Sequence, residues 1–133
     1  MKLTLIDAVK IQNFVKSEYK KATDAFVEAK DAGNVSVEVS EKFHTWGKID
    51  GIVNSNITTN NYYKTKDFDT LSFYRNIIGN RNSAKTSFED KKYSEDNRIY
   101  FEVMFKVYDL VLQKALDGEF DFDTGTQRDL VIM

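Results

Sequence analysis

The stretch SEDNRIYFEVMFKVYDLVLQKALDG, residues 94–118, decides the architecture. Ser94 is the kind of residue that caps a helix and Gly118 the kind that ends one. At 100° per residue, the apolar side chains from Ile99 to Leu116 cover roughly 260° of the circumference. Only Glu102, Lys106, Asp109 and Gln113 make a continuous polar strip. Each large apolar side chain left wet forgoes ~1.5–3 kcal/mol, against a typical net stability of ~5–15 kcal/mol. A helix so apolar is expected at the centre of the fold. Either the rest of the chain wraps it, or a second copy or a protein partner covers one face. Phe101, Phe105, Tyr108, Leu112 and Leu116 fall along one side and form the candidate interaction surface.

Working outward, Ala8, Ile11, Val15, Tyr19, Ala22, Phe26 and Ala29 recur at spacings of three and four, predicting a helix over about 4–32. Thr4 or Asp7 caps its start, and Gly33-Asn34 ends it. Val35, Val37 and Val39 alternate with polar residues, the pattern of a half-buried strand over 35–39. Ser40 to Val53 reads as a helix in spite of Gly47 and Gly51, with a glycine-centred hairpin as the alternative. Asn54 to Asn61 reads as a surface connection. Asp67 is expected to cap a helix over 67–78 that stops at Gly79-Asn80, and a short helix follows within 83–93. Phe120 and Phe122 alternate with acids, suggesting a strand that pairs with 35–39, and the apolar end Leu130 to Met133 is expected to be buried or docked. The expected fold is mostly helical α+β: a central helix about 94–117, packed by helices about 4–32 and 67–78, with a small two- or three-stranded sheet. One domain, 1–133, is expected.

Composition narrows the function. The chain of 133 residues has no cysteine, which excludes disulfides, thiolate chemistry and zinc-ribbon or iron–sulfur sites. A net charge of −2 is too balanced for whole-chain attraction to nucleic acid or anionic lipid. No apolar run reaches the ~20 residues a membrane helix needs. Asp7 interrupts the first apolar residues, so no signal peptide forms, and an intracellular (cytoplasmic) location is expected. Residues written with AT-rich codons far outnumber those written with GC-rich ones, an association that points to a low-GC bacterium or its phage.

No catalytic constellation, metal set or cofactor site emerges. Asp123-Thr124-Gly125-Thr126 has the letters of an aspartic-protease loop but lacks flanking apolar strands. The acids 117, 119, 121 and 123 do not fit a calcium loop, since Gly125 falls one place early and Ile132 stands where a bidentate glutamate belongs. His44 is the sole histidine and is expected to be a partly buried neighbour of Phe43 and Trp46. Glu89-Asp90-Lys91 resembles a nuclease pair only in spacing. The glycines never form a phosphate loop.

One cluster does have binding chemistry. Tyr62, Tyr63, Lys64, Lys66, Tyr74, Arg75 and Arg81 concentrate rings and cations within 62–82, the materials for stacking on bases and gripping phosphate. The expected function is a non-enzymatic protein–protein interaction protein, acting as a homo-oligomer or with a protein partner. A phage or mobile-element accessory role, as host-factor inhibitor or virion component, suits its size. The alternative is a nucleotide or single-stranded nucleic-acid binding module built on 62–82.

Overall fold

The computed structural model describes residues 2–123 and 130–132. Strand β1 (Lys2–Thr4) leads into helix α1 (Ala8–Asp31), followed by α2 (Val37–Ser55), the strands β2 (Ile57–Asn60) and β3 (Thr65–Phe68), α3 (Thr70–Glu89), α4 (Glu95–Leu116) and β4 (Leu130–Ile132). The architecture is mostly helical α+β, as the periodicity predicts. Among the described residues the β structure is two separate antiparallel pairs, β1 with β4 and β2 with β3, and one isolated bridge, where a single two- or three-stranded sheet was expected.

Local chemistry sets each helix start. Asp7 accepts the Val9 N–H at 2.9 Å, so α1 begins there and residues 2–4, expected as helix from Thr4, are extended instead. Gly33, at φ +69°, closes the other end in a conformation that strains any side chain. The strand expected over 35–39 is absent. Ser36 accepts the Val39 N–H at 3.1 Å and starts α2, so capping outweighs the β preference of three valines that have no strand to pair with. Residues 120–122 correspondingly do not meet 35–39; Asp121 bridges Ile6 instead. The favoured helix over 40–53 exists, lengthened at both ends. Gly47 within it faces the Tyr19 ring, where a Cβ would lie 3.3 Å from the hydroxyl oxygen.

Two further expectations need correcting. Residues 57–60, expected as part of a surface connection, are β2 of a hairpin whose four-residue ladder runs from Ile57 opposite Phe68 to Asn60 opposite Thr65. The next helix is capped by Asp69, which accepts the Ser72 N–H, and it runs through Gly79-Asn80 to Glu89. Glycine costs a helix interior about 1 kcal/mol. Ile77 and Ala84, both buried on either side of Gly79, outweigh it. The short helix expected within 83–93 is therefore the second half of α3.

The helices form two antiparallel pairs. In α1/α2, Phe26 stacks on Phe43 at 4.6 Å and, further along, Gln12 donates to Asn54 at 3.2 Å. In α3/α4, Arg81 Nε donates to Asp109 and Arg98 Nε to the Phe88 carbonyl. Contact of α2 with α4 joins the pairs. The core lies where the first halves of α1 and α3 meet the second halves of α2 and α4: Ile11, Val15, Ile49, Val53, Phe73, Tyr74, Ile77, Tyr108 and Val111 are all buried there. Leu3, Ile6 and Phe120 close that end. It is clasped by the Asp7 N–H donating to the Phe120 carbonyl (2.8 Å), Lys10 donating to the Asp121 carbonyl (2.7 Å) and Thr4 donating to the Asp121 carboxylate.

Helix α4 is central, as expected, with Val103, Val107, Tyr108, Val111, Leu112 and Ala115 buried. It is not wholly wrapped: Ile99, Tyr100, Leu110 and Leu116 are exposed at 38–43%.

The core carries a pH signature. Burial, and then the charge of Asp121, push the Tyr74 phenol up to about 12; burial and then Glu41 raise Tyr108. Unfolded tyrosine titrates near ~10, so below that pH both states keep the proton and the stabilisation is complete; it is lost as pH rises toward the folded value. Denaturant titrations at pH 9 and pH 11 should show stability falling by about 1 kcal/mol from Tyr74. That decline should be smaller in Tyr74→Phe; an equally steep decline in the variant contradicts the assignment.

Candidate functional site

Above the core end, α1 and α4 both lean on α2 and leave a groove of about 520 Å³ between them. Its floor is apolar: Trp46 and Val103, only 5% and 7% exposed, with Ala22, Ala25 and Val107. Ile99 and Leu110 stand at its edge, 40% and 43% exposed. On α4 the lining residues Ile99, Val103, Lys106 and Leu110 fall at i, i+4, i+7 and i+11, one helical face about three turns long. The two alanines of α1 keep the opposite wall low. Trp46 is fixed by edge-on contact with Phe14 at 6.0 Å between ring centres.

Each of the three helices contributes one acid and one lysine to the rim, already paired within the helix. Glu18 meets Lys21 at 3.4 Å, Glu38 meets Lys42 at 3.1 Å and Glu102 meets Lys106 at 2.9 Å. The groove is thus apolar inside and electrically neutral at the rim. Exposed pairs of this kind are worth only about 0.3–0.5 kcal/mol, so an incoming group exchanges them at little cost.

The expected interaction stripe lies on another side of α4. Tyr108 and Leu112 are core, 1% and 6% exposed, because the same face that points them away from the groove points them into the bundle. Phe101 packs on Tyr93 at 5.0 Å and Phe105 lies under the Arg81 guanidinium at 5.1 Å, so both are partly covered within the chain. Leu116 alone of the five is exposed. The groove face escaped the sequence reading because Glu102 and Lys106 interrupt it. The signal that marks it is the apolar i, i+4, i+11 spacing of Ile99, Val103 and Leu110.

The 62–82 cluster is dispersed. Tyr62 and Tyr63 project from the tip of the β2–β3 hairpin, 86% and 71% exposed, beside Lys64. Lys66 donates to Gln12 on α1 at 3.1 Å. Tyr74 is in the core, 1% exposed, and is not available to stack on a ligand. Arg75 is exposed on the first turns of α3, next to Asp69 and Asn76 in a shallow recess. Arg81 points at α4, where it pairs with Asp109 at 2.6 Å. What remains together at the hairpin tip is the two rings and Lys64.

Among the described residues no group of three or more His, Cys, Asp or Glu side chains is placed to hold a metal ion. No helix among the described residues is long and apolar enough to cross a membrane. His44 sits beside Phe43 at 5.3 Å between ring centres, but is exposed where partial burial was expected. Glu89 and Lys91 straddle the end of α3, away from any strand. The Asp123–Thr126 turn and the rest of the acidic loop reading lie outside the described residues beyond Asp123. Comparison with protein-family models, with curated proteins and with solved structures returns no match.

The position of Arg81 makes its role architectural and open to measurement. Arg81→Ala removes a partly buried charge-assisted bond and a cation–π contact, and should lower stability by about 1–2 kcal/mol. Asp109→Asn should be non-additive with it in a double-mutant cycle followed by thermal unfolding. Additive effects exclude the pair as a structural unit.

Proposed function

We propose that this chain is a non-enzymatic protein-interaction protein whose docking surface is the groove between α1, α2 and α4. The observation that carries the reading is an apolar floor, Trp46 and Val103 with Ala22 and Ala25, inside a rim of charges that cancel. The neutral rim favours an apolar protein segment over a polyanion. The exposed Ile99 and Leu110 extend that surface along α4. An accessory role in a phage or mobile element is supported by the composition, which resembles that of an AT-rich genome.

The absence of cysteine makes the test clean, since an introduced cysteine is unique. A photo-crosslinker attached at Ala25→Cys, in extract of the cells that naturally make the chain, should give discrete protein adducts. The same reagent at Lys85→Cys, on the exposed back of α3, should give none. Equal labelling at the two positions, or adducts with nucleic acid alone, rejects the groove as a protein-docking surface.

A further inference from the structure

We infer that the occupant of the groove is the β2–β3 hairpin tip of a second copy of this chain, so that copies associate head to tail. The inference rests on the groove being a protein-docking surface and names what docks there.

The tip is built as a rigid knob. Asn60 accepts the backbone N–H groups of both Tyr62 (3.0 Å) and Tyr63 (3.1 Å), and Lys64 turns the chain at φ +53°. The two rings meet edge to face at 4.8 Å, so each limits the freedom of the other. At the base, Phe68 packs on Phe73 at 5.4 Å and the Asp69 N–H donates to the Asn56 carbonyl at 2.9 Å. Two large rings held out in water on a braced turn lose little further entropy on docking, and Tyr is among the residue types enriched at the energetic centres of interfaces.

Charge does not oppose this occupant. The tip carries one free-standing cation, Lys64, since Lys66 is turned to Gln12 on α1. The groove offers the rings an apolar floor, and its rim, where Glu38 and Glu102 each sit beside a lysine, presents no net charge to Lys64. Those rim lysines are neighbours one turn away on the same helix and are weakly held.

Geometry excludes self-filling. The hairpin leaves the C-terminal end of α2, while Lys42 on the groove rim sits thirteen residues before that end, about 20 Å along the axis. A chain therefore presents its knob at one end and its hole toward the other, and only a different copy brings the two together. Knob and hole are different surfaces, so the association is heterologous and extends beyond a pair unless the rotation closes a ring.

Sedimentation velocity on the purified chain tests this. The wild type should pass from monomer to trimer and larger species as concentration rises through the micromolar range. Tyr62→Ala/Tyr63→Ala, which alters only exposed side chains, should stay monomeric with an unchanged circular dichroism spectrum. Ala25→Arg should also be monomeric; Ile99→Arg, at the exposed rim, serves the same purpose if Ala25→Arg fails to fold. Mixed in equal amounts, the knob variant and the hole variant should give a dimer and nothing larger, because one intact knob and one intact hole remain. Emission from Trp46, the single tryptophan, should shift on association in the wild type and in that mixture. A wild type that is monomeric at every concentration, association that survives loss of both tyrosines, or a mixture with no dimer overturns the inference. Protein crosslinks at Ala25→Cys to some other protein would then leave the groove reading standing with a different occupant.

Discussion

Helix α4 is apolar over most of its circumference, and α2 and α3 pack on it to keep much of that surface from water. Two helices are needed against it, and they come from different antiparallel pairs: α3 from its own and α2 from the other. Tyr108, Val111 and Ala115 are consequently sealed between the pairs, whereas the flank carrying Ile99 and Leu110 faces α1 across a gap that nothing in the described chain fills. The groove is thus what remains when a helix with three apolar sides meets two direct neighbours. Large apolar patches left open on small proteins are commonly sites of association, because covering them recovers the free energy lost to hydration.

The helices were legible where their ends and their faces agreed. Ser94 caps as read, Asp7 is one of the two caps read for the first helix, and the helices that follow these two residues carry sustained periodicity. Reading failed where a local preference met a competing one. Three valines at alternate positions resemble a strand, but Ser36 before them offers a hydroxyl to the Val39 amide, and no neighbouring strand offers a ladder. Gly79-Asn80 resembles a helix end, but the burial of Ile77 and Ala84 is tertiary and invisible in a linear pattern.

The candidate site was less legible than the fold, for a related reason. Residues 62–82 look like one basic and aromatic surface in sequence, yet the chain passes through a strand and three helical turns within that span. Tyr74 is drawn inward and Arg81 toward Asp109, leaving Tyr62 and Tyr63 outside. Proximity along the chain said nothing about direction. The groove, conversely, is assembled from Ala25, Trp46 and Val103, which stand on three separate helices. No motif scan joins residues so far apart, and only their packing brings them to one surface.

Residues 2–4 pair with residues 130–132, while the helices pair with near neighbours in sequence. The two kinds of contact form on different schedules. Each helical hairpin closes a short loop and can form as soon as its second helix is made; the clasp of β1 on β4 closes a loop that contains both hairpins, and its entropic cost is correspondingly larger. Strand β1 is thus the first described segment to be made, yet its partner strand is the last of them, and Leu3 and Ile6 gain their full cover only once both hairpins have brought the two strands to one end.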